Sequence, residues 1–177
     1  MNESYIDRWK PWYGIDESNR PYGDTFTYSL GEEFLQGLDI EDWGCGYGWF
    51  KKIHKGPYIG VDGTKTQWSD IVADLREYQS KASGIWMRHV LEHNKDWKKI
   101  LENACISATE KLVIITFTPD GDGEQIAFLD ELQVPDIAIP WSAIDDALTH
   151  HNFSFEKNVY KTSSFYGVET VWLAKKK

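Results

Sequence analysis

Residues 38–48 read LDIEDWGCGYG, and this stretch decides the fold. Apolar and acidic residues alternate up to Asp42, a pattern typical of a short strand. Glycines follow at alternate positions: Gly44, Gly46 and Gly48. Glycine lets the backbone turn sharply and approach a ligand closely because it has no Cβ. With a helix predicted over 47–55, the stretch predicts a strand, a ligand-binding glycine turn and a helix.

The rest of the chain alternates strands with helices. Strands are predicted at 38–42, 58–62, 70–74, 84–89, 111–117, 154–160 and 168–174, and further helices at 29–38, 97–107 and 141–150. Alternation of this kind indicates a parallel sheet covered by helices on both faces. The last two strands are joined by a loop too short for a crossover helix, so they are predicted to be antiparallel.

Two connections on one side of the sheet are short. Eight residues separate Asp62 from Ile71 and nine separate Leu75 from Ile85, whereas a parallel crossover needs about a dozen or more. The helices on that side are therefore predicted to be vestigial. We expect Trp68, Tyr78 and part of the N-terminal segment to cover the sheet face instead, or a second subunit in a homo-oligomer.

The spacing of the glycines distinguishes between two classes of cofactor. A dinucleotide fingerprint, G-x-G-x-x-G, needs glycine at position 49, where this chain has Trp49. The acid Asp42 ahead of the glycines would also repel a pyrophosphate. A cofactor with a cationic head and no phosphates, such as S-adenosylmethionine (SAM), fits the stretch better.

On these residues the chain resembles the class I SAM-dependent methyltransferases, whose first motif is an acid, one residue and G-x-G-x-G. Asp42 and the three glycines match it completely. The resemblance extends over residues 38–174. It implies a Rossmann-like α/β fold with a C-terminal antiparallel hairpin, and SAM as cofactor with S-adenosylhomocysteine (SAH) as product.

The resemblance also implies roles for residues at later strand ends. Asp62 stands where family members bind the ribose hydroxyls, and Asp74 with Leu75 stands where they contact adenine. Residues 88–93, RHVLEH, are similar to the H-V-L-E-H stretch of many small-molecule methyltransferases. Arg88 and His89 are accordingly expected to line the cofactor site.

The histidines of that stretch allow three interpretations. Glu92 and His93 could cap or solvate the start of a helix. His89 could lie beside the transferred methyl group as a base or orienting group, since a histidine pKa suits proton removal near neutrality. His89, Glu92 and His93 could also bind a metal with His150 or His151, which resembles the site of small-RNA terminal 2′-O-methyltransferases.

Charge and composition limit the partners. The net charge of −9, from 19 basic and 28 acidic residues, argues against nucleic acid. Two cysteines without metal-type spacing indicate a reducing compartment. The chain has no apolar stretch of membrane-spanning length and no signal-peptide pattern, so a cytoplasmic protein is expected.

The sequence predicts an aromatic-rich N-terminal lid or strap over 1–37 and a SAM-binding domain over 38–177. The predicted reaction is methyl transfer to O or N of a small or medium polar acceptor. One alternative is a metal-assisted RNA or protein methyltransferase. The other is a non-catalytic SAM-binding subunit that acts through a partner protein.

Overall fold

A seven-stranded sheet forms the centre of the computed structural model, which describes residues 25–129 and 134–177. Its strands are β1 (Ile40–Trp43), β2 (Tyr58–Asp62), β3 (Ile71–Val72), β4 (Ala82–Arg88), β5 (Ala108–Thr116), β8 (Phe153–Lys161) and β9 (Val168–Lys176). They lie in the order β3-β2-β1-β4-β5-β9-β8. The first five are parallel, whereas β9 is antiparallel to both β5 and β8. The predicted fold class is confirmed.

Helices cover both faces of this sheet. The described helices are α1 (Phe26–Leu35), α2 (Trp97–Ser107) and α3 (Trp141–His150), with short 3-10 helices at Phe50–Lys52 and Leu91–His93. Helices α2 and α3 pack on one face, here called the α2 face, and α1 packs on the other, the α1 face. A separate antiparallel hairpin, β6 (Gln125–Leu129) with β7 (Val134–Ile137), adds its buried Ile137 to the core of the α2 face.

Strand β5 divides the core into two halves. Leu112 and Ile114 point to the α2 face, and Val113 and Ile115 point to the α1 face. All four are at most 1% exposed, as expected of a central strand buried on both sides. The continuous apolar run of this segment therefore encodes its central position in the sheet.

The side of the sheet with short connections has the vestigial character that was predicted. Strand β3 has only two residues, and the described chain between β2 and β4 contains no helix. The Tyr78 ring packs edge-on against Trp43, with centroids 5.4 Å apart, and Trp68 lies against the glycine turn. Tyr78 thus packs against the core of the sheet on this side, as expected, whereas Trp68 contacts the glycine turn.

Several local predictions were wrong or cannot be compared. The helix predicted over 47–55 is only the three-residue 3-10 helix Phe50–Lys52, because Gly46 and Gly48 hold the preceding backbone at positive φ. The β6–β7 hairpin was not predicted. Most of the predicted lid or strap, residues 1–24, lies outside the described residues. In the described part of the chain, no helix is long and apolar enough to cross a bilayer.

Candidate cofactor and acceptor site

The glycine turn lies at the carboxyl end of β1. Gly44, Gly46 and Gly48 have φ values of +77°, +50° and +62°, which favour glycine. The N–H groups of Gly44 and Cys45 donate to the Val61 carbonyl, at 2.7 and 3.2 Å, and tie the turn to β2. The order of the parallel strands reverses between β1 and β4, and ligands of open α/β sheets bind outside the carboxyl ends at such a point.

Contacts within the chain also require two of these glycines. A Cβ on Gly44 would lie 2.5 Å from Cγ2 of Val90, and one on Gly48 would lie 2.7 Å from the Trp68 ring. Real Cβ atoms do not approach neighbours that closely. The turn is therefore held between the segment after β4 and the segment after β2.

Asp62, the expected ribose ligand, braces the glycine turn. Its carboxylate accepts hydrogen bonds from the N–H of Gly46 at 2.9 Å and the N–H of Thr64 at 2.8 Å, and the residue is 3% exposed. The structure thus places Asp62 at the end of β2 beside the glycine turn, where it has a structural role.

Asp42 is the second buried acid at the turn. The Tyr58 hydroxyl donates to its Oδ2 at 2.6 Å, and the residue is 3% exposed. Burial raises the pKa of Asp42 to about 7, and the nearby charge of Asp62 adds to this. A positive group bound here would favour the ionised form of Asp42.

Asp74 and Leu75, the expected adenine contacts, are engaged within the chain. The Asp74 carboxylate accepts hydrogen bonds from Arg76, whose Nε lies 3.0 Å from both oxygens and whose Nη2 donates to Oδ2, and this partner lowers the pKa of Asp74. Leu75 is 9% exposed and its carbonyl accepts a hydrogen bond from the Asn103 amide at 2.9 Å. Asp74 therefore already has a cationic partner.

Arg88 and His89, at the end of β4, both contact Glu169, a residue that the sequence analysis did not identify. Glu169, at the start of β9, accepts a hydrogen bond from Nη2 of Arg88 at 2.5 Å, and Nε2 of His89 lies 3.1 Å from the same oxygen. Nη1 of Arg88 also donates to the Tyr28 hydroxyl at 3.1 Å. Glu169 lies 80 residues from His89 and belongs to no motif, so nothing in the sequence indicates the contact.

Glu92 and His93 point to other partners than His89 does. Oε1 of Glu92 accepts the N–H of Phe117 at 2.9 Å, and burial raises the Glu92 pKa to about 7. Nδ1 of His93 lies 3.1 Å from an Asp136 carboxylate oxygen, which helps to raise the His93 pKa. His89 precedes the 3-10 helix Leu91–His93, so it is not on the same helix as Glu92 and His93.

The alternative metal site gains no support from this arrangement. Within residues 25–129 and 134–177, no group of three or more His, Cys, Asp or Glu side chains could hold a metal ion. His151, which was offered as a further ligand, pairs with Glu102 at 2.9 Å instead.

Comparison with solved structures identifies the fold. Magnesium protoporphyrin IX methyltransferase from Synechocystis PCC 6803, crystallised with SAM, superposes with a TM-score of 0.68 over 100% of both chains at 16% identity. The chain has the class I methyltransferase fold. No protein-family model and no curated protein matches the sequence.

Two other solved structures share this methyltransferase fold. A 1,6-didemethyltoxoflavin-N1-methyltransferase from Burkholderia thailandensis, with its substrate and SAH bound, has a TM-score of 0.67 at 14% identity, covering 85% of this chain and 76% of that one. A SAM-dependent methyltransferase from Methanosarcina mazei has a TM-score of 0.63 at 15% identity, covering 83% and 96%. Each comparison concerns the course of the backbone, since the identities are low.

Proposed function

We propose that the chain is a SAM-dependent methyltransferase that transfers a methyl group to O or N of a small or medium polar acceptor. The observation that carries the proposal is the glycine turn with two buried acids at the reversal point of a class I methyltransferase sheet. Neighbours of the same fold crystallised with SAM or SAH support it, and those named act on porphyrin and toxoflavin precursors.

The two acids at the glycine turn fit a nucleoside that carries a positive charge. Burial raises the pKa of Asp42, and the charge of Asp62 adds to this. Asp42 and Asp62 are both 3% exposed, and their ionised carboxylates give the turn a negative electrostatic field. Such a field attracts a sulfonium and an ammonium group and repels a pyrophosphate. SAM supplies an activated methyl group when bound, so the protein has chiefly to align the acceptor with it.

The residues of this chain then have distinct proposed tasks. Asp62 accepts from the ribose hydroxyls while bracing the Gly46 N–H, and Asp42 balances the positive charge. Asp74 and Leu75 border the adenine edge, and Arg88 and His89 line the side nearest the acceptor. The acceptor is proposed to be a small molecule rather than nucleic acid, since the net charge is −9.

Calorimetry with SAM and with SAH tests the proposal on the wild-type chain and on Gly44→Ala. The alanine introduces a Cβ 2.5 Å from Val90 and strains a φ of +77°, so we expect the turn to be displaced and affinity to fall tenfold or more. Gly37→Ala is the matched control, because Gly37 has a φ of +82° but its Cβ would meet nothing within 4 Å.

Gly37→Ala should lose about 1–2 kcal/mol of stability through backbone strain alone and keep wild-type affinity. Thermal unfolding of both variants checks that they are folded at the temperature of the titration. A wild-type chain that binds neither SAM nor SAH would contradict the proposal. So would a preference for a phosphate-bearing nucleotide such as NAD.

A further inference from the structure

Glu169 is a buried carboxylate that forms an ion pair with Arg88. It is fully buried, and Nη2 of Arg88 donates to its Oε1 at 2.5 Å. A buried carboxylate without a partner is costly, and the ion pair with Arg88 favours the ionised form of Glu169. Arg88 is itself held by Tyr28, whose ring centroid lies 4.5 Å from its guanidinium carbon.

The contact between Glu169 and His89 determines which ring nitrogen carries the proton. An ionised carboxylate only accepts hydrogen bonds, so Nε2 of His89, 3.1 Å from Oε1, has to be the donor. A neutral imidazole has a single N–H, and its lone pair therefore lies on Nδ1. Burial, Arg88 and His93 lower the pKa of His89 well below its usual value, which favours the neutral ring.

The backbone and the neighbouring ring fix the orientation of His89. Its φ of +55° is left-handed, a conformation that is unfavourable for a non-glycine residue and persists only where contacts hold it. Its N–H donates to the Ile115 carbonyl at 2.9 Å, and its ring lies 4.8 Å from the Phe117 ring. The backbone bond to Ile115 and the ring contacts with Phe117 and Glu169 thus hold His89 at the carboxyl end of β4.

We propose that Glu169 is a positioning residue that holds His89 as the Nε2–H tautomer, so that Nδ1 accepts the proton of a hydroxyl acceptor. This role rests on the proposed methyl transfer. The acceptor oxygen keeps the electron pair of its O–H bond and forms the new bond to the methyl carbon. The pair of the old carbon–sulfur bond leaves with sulfur, and the proton becomes the second N–H of an imidazolium. The Glu169 carboxylate lies beside that new positive charge.

Nitrogen NMR of the labelled full-length chain, without cofactor and near neutral pH, tests the tautomer directly. In the wild type we expect a protonated Nε2 and an unprotonated Nδ1 on His89. Glu169→Gln offers the ring a donor as well as an acceptor, so part of the population should move to the Nδ1–H form. Glu169→Asp keeps the charge for Arg88 but withdraws the carboxylate by one methylene, and should weaken the preference in the same direction.

Glu102→Gln is the matched control, since Glu102 makes the same kind of contact to Nε2 of His151 at 2.9 Å. It should change the His151 signals and leave His89 unchanged. A wild-type His89 that is protonated on Nδ1, or charged, would overturn the proposal, as would an unchanged tautomer in a folded Glu169→Gln or Glu169→Asp. If Glu169→Gln does not fold, the wild type and Glu169→Asp still decide. Because no SAM is present, failure here is distinct from failure to bind SAM.

Discussion

Asp42 and Glu92 are two carboxyl groups whose pKa values burial raises to about 7, but they have different surroundings. Asp42 lies at the glycine turn beside Asp62, whereas Glu92 lies under Phe117 beside His93 and Asp136. Both groups titrate in the range where a cell operates. Their ionisation therefore links pH to ligand binding in one case and to stability in the other.

The affinity for SAM should rise with pH through the titration of Asp42. A cationic ligand favours the carboxylate, and below a pKa of about 7 the free chain has to lose a proton to form it. Since one pKa unit corresponds to about 1.4 kcal/mol, affinity should be about tenfold weaker at pH 6 than at pH 8. Calorimetry at several pH values on the wild type and Asp42→Asn measures this slope.

The asparagine variant should bind more weakly than the wild type at pH 8 and show a flatter pH dependence. Asp39→Asn, which changes an exposed acid just before the same strand, should keep the wild-type slope. An Asp42→Asn chain with an undiminished slope would show that another group is responsible.

Glu92 should make the chain less stable as pH rises. Its pKa is raised to about 7 in the folded chain from an ordinary value of 4.5, so the unfolded chain loses this proton first. The free energy of unfolding should therefore be highest below about pH 4.5, considering this group alone, and fall between about pH 4.5 and 7. Glu92→Gln keeps an acceptor for the Phe117 N–H and removes the titration.

Denaturant unfolding at pH 5 and pH 8 measures the effect as a difference between variants. The stability of Glu92→Gln relative to the wild type should increase by about 1–3 kcal/mol over that range. Glu110→Gln, which changes an exposed glutamate, should follow the wild-type curve. Parallel curves for Glu92→Gln and the wild type would count against a raised pKa at this position.

At the residue scale, positions at strand ends could be located from the sequence, but their hydrogen-bond partners could not. The acids at strand ends were located because they follow apolar runs, and Asp62 does lie against the glycine turn. That its oxygens hold the Gly46 and Thr64 N–H groups could not be predicted, because these bonds depend on the three-dimensional path of the turn. Glu169 belongs to no motif and lies 80 residues from His89, so it was missed for the same reason.

At the scale of elements, the packing of α1 against the sheet restricts which residue can occupy position 31. Gly31 faces the sheet, and a Cβ there would overlap the Trp86 ring. Gly31→Ala should destabilise the chain by about 1–3 kcal/mol, although alanine is the better helix former by up to about 1 kcal/mol. Chemical denaturation measures this against Ser29→Ala on the exposed side of α1.

Ser29→Ala should leave stability unchanged or slightly increased, because only helix propensity changes there. If Gly31→Ala were as stable as Ser29→Ala, α1 could not pack against Trp86 as described. The exposed Ser29 thus separates the effect of packing from that of propensity.

Elements with a strong pattern were predicted, and those set by context were not. The bounds of β2 match the prediction residue for residue, and α2 also agrees, because each has a clear apolar pattern between strong boundaries. The β6–β7 hairpin contains Pro135 and Asp136, residues that weaken a strand signal. The β5 strand begins three residues earlier than predicted, at the polar segment that directly follows α2.

The two edges of the central sheet differ in the length of their strands and in how they are covered. Strand β5 is covered on both faces, and the β8–β9 hairpin pairs along nine residues. The opposite edge ends in the two-residue β3, which has only two paired positions with β2. The described chain has no helix between β2 and β4, and the contact between the Trp43 and Tyr78 rings covers part of this side instead. We therefore expect this edge to be the less stable one.

Amide hydrogen exchange should therefore be uneven across the sheet. Amides of β3 and the end of β2 should exchange through local openings of lower free energy than amides of β4 and β5, because local stability follows buried contacts. Both β3 and β8 are edge strands, and the longer β8 should be better protected. Exchange followed by NMR on the chain without ligand measures these free energies residue by residue.

Adding SAM should then slow exchange around the glycine turn and β2, and leave β8 with little change. A ligand bound at the turn stabilises the closed state and so raises the free energy of local openings that disrupt the site, by an amount set by its concentration relative to Kd. Uniform protection of both edges without ligand would contradict the asymmetry. Protection by SAM confined to β8 and β9 would instead place the ligand away from the reversal point, because the two regions are separated by β4 and β5 in the sheet.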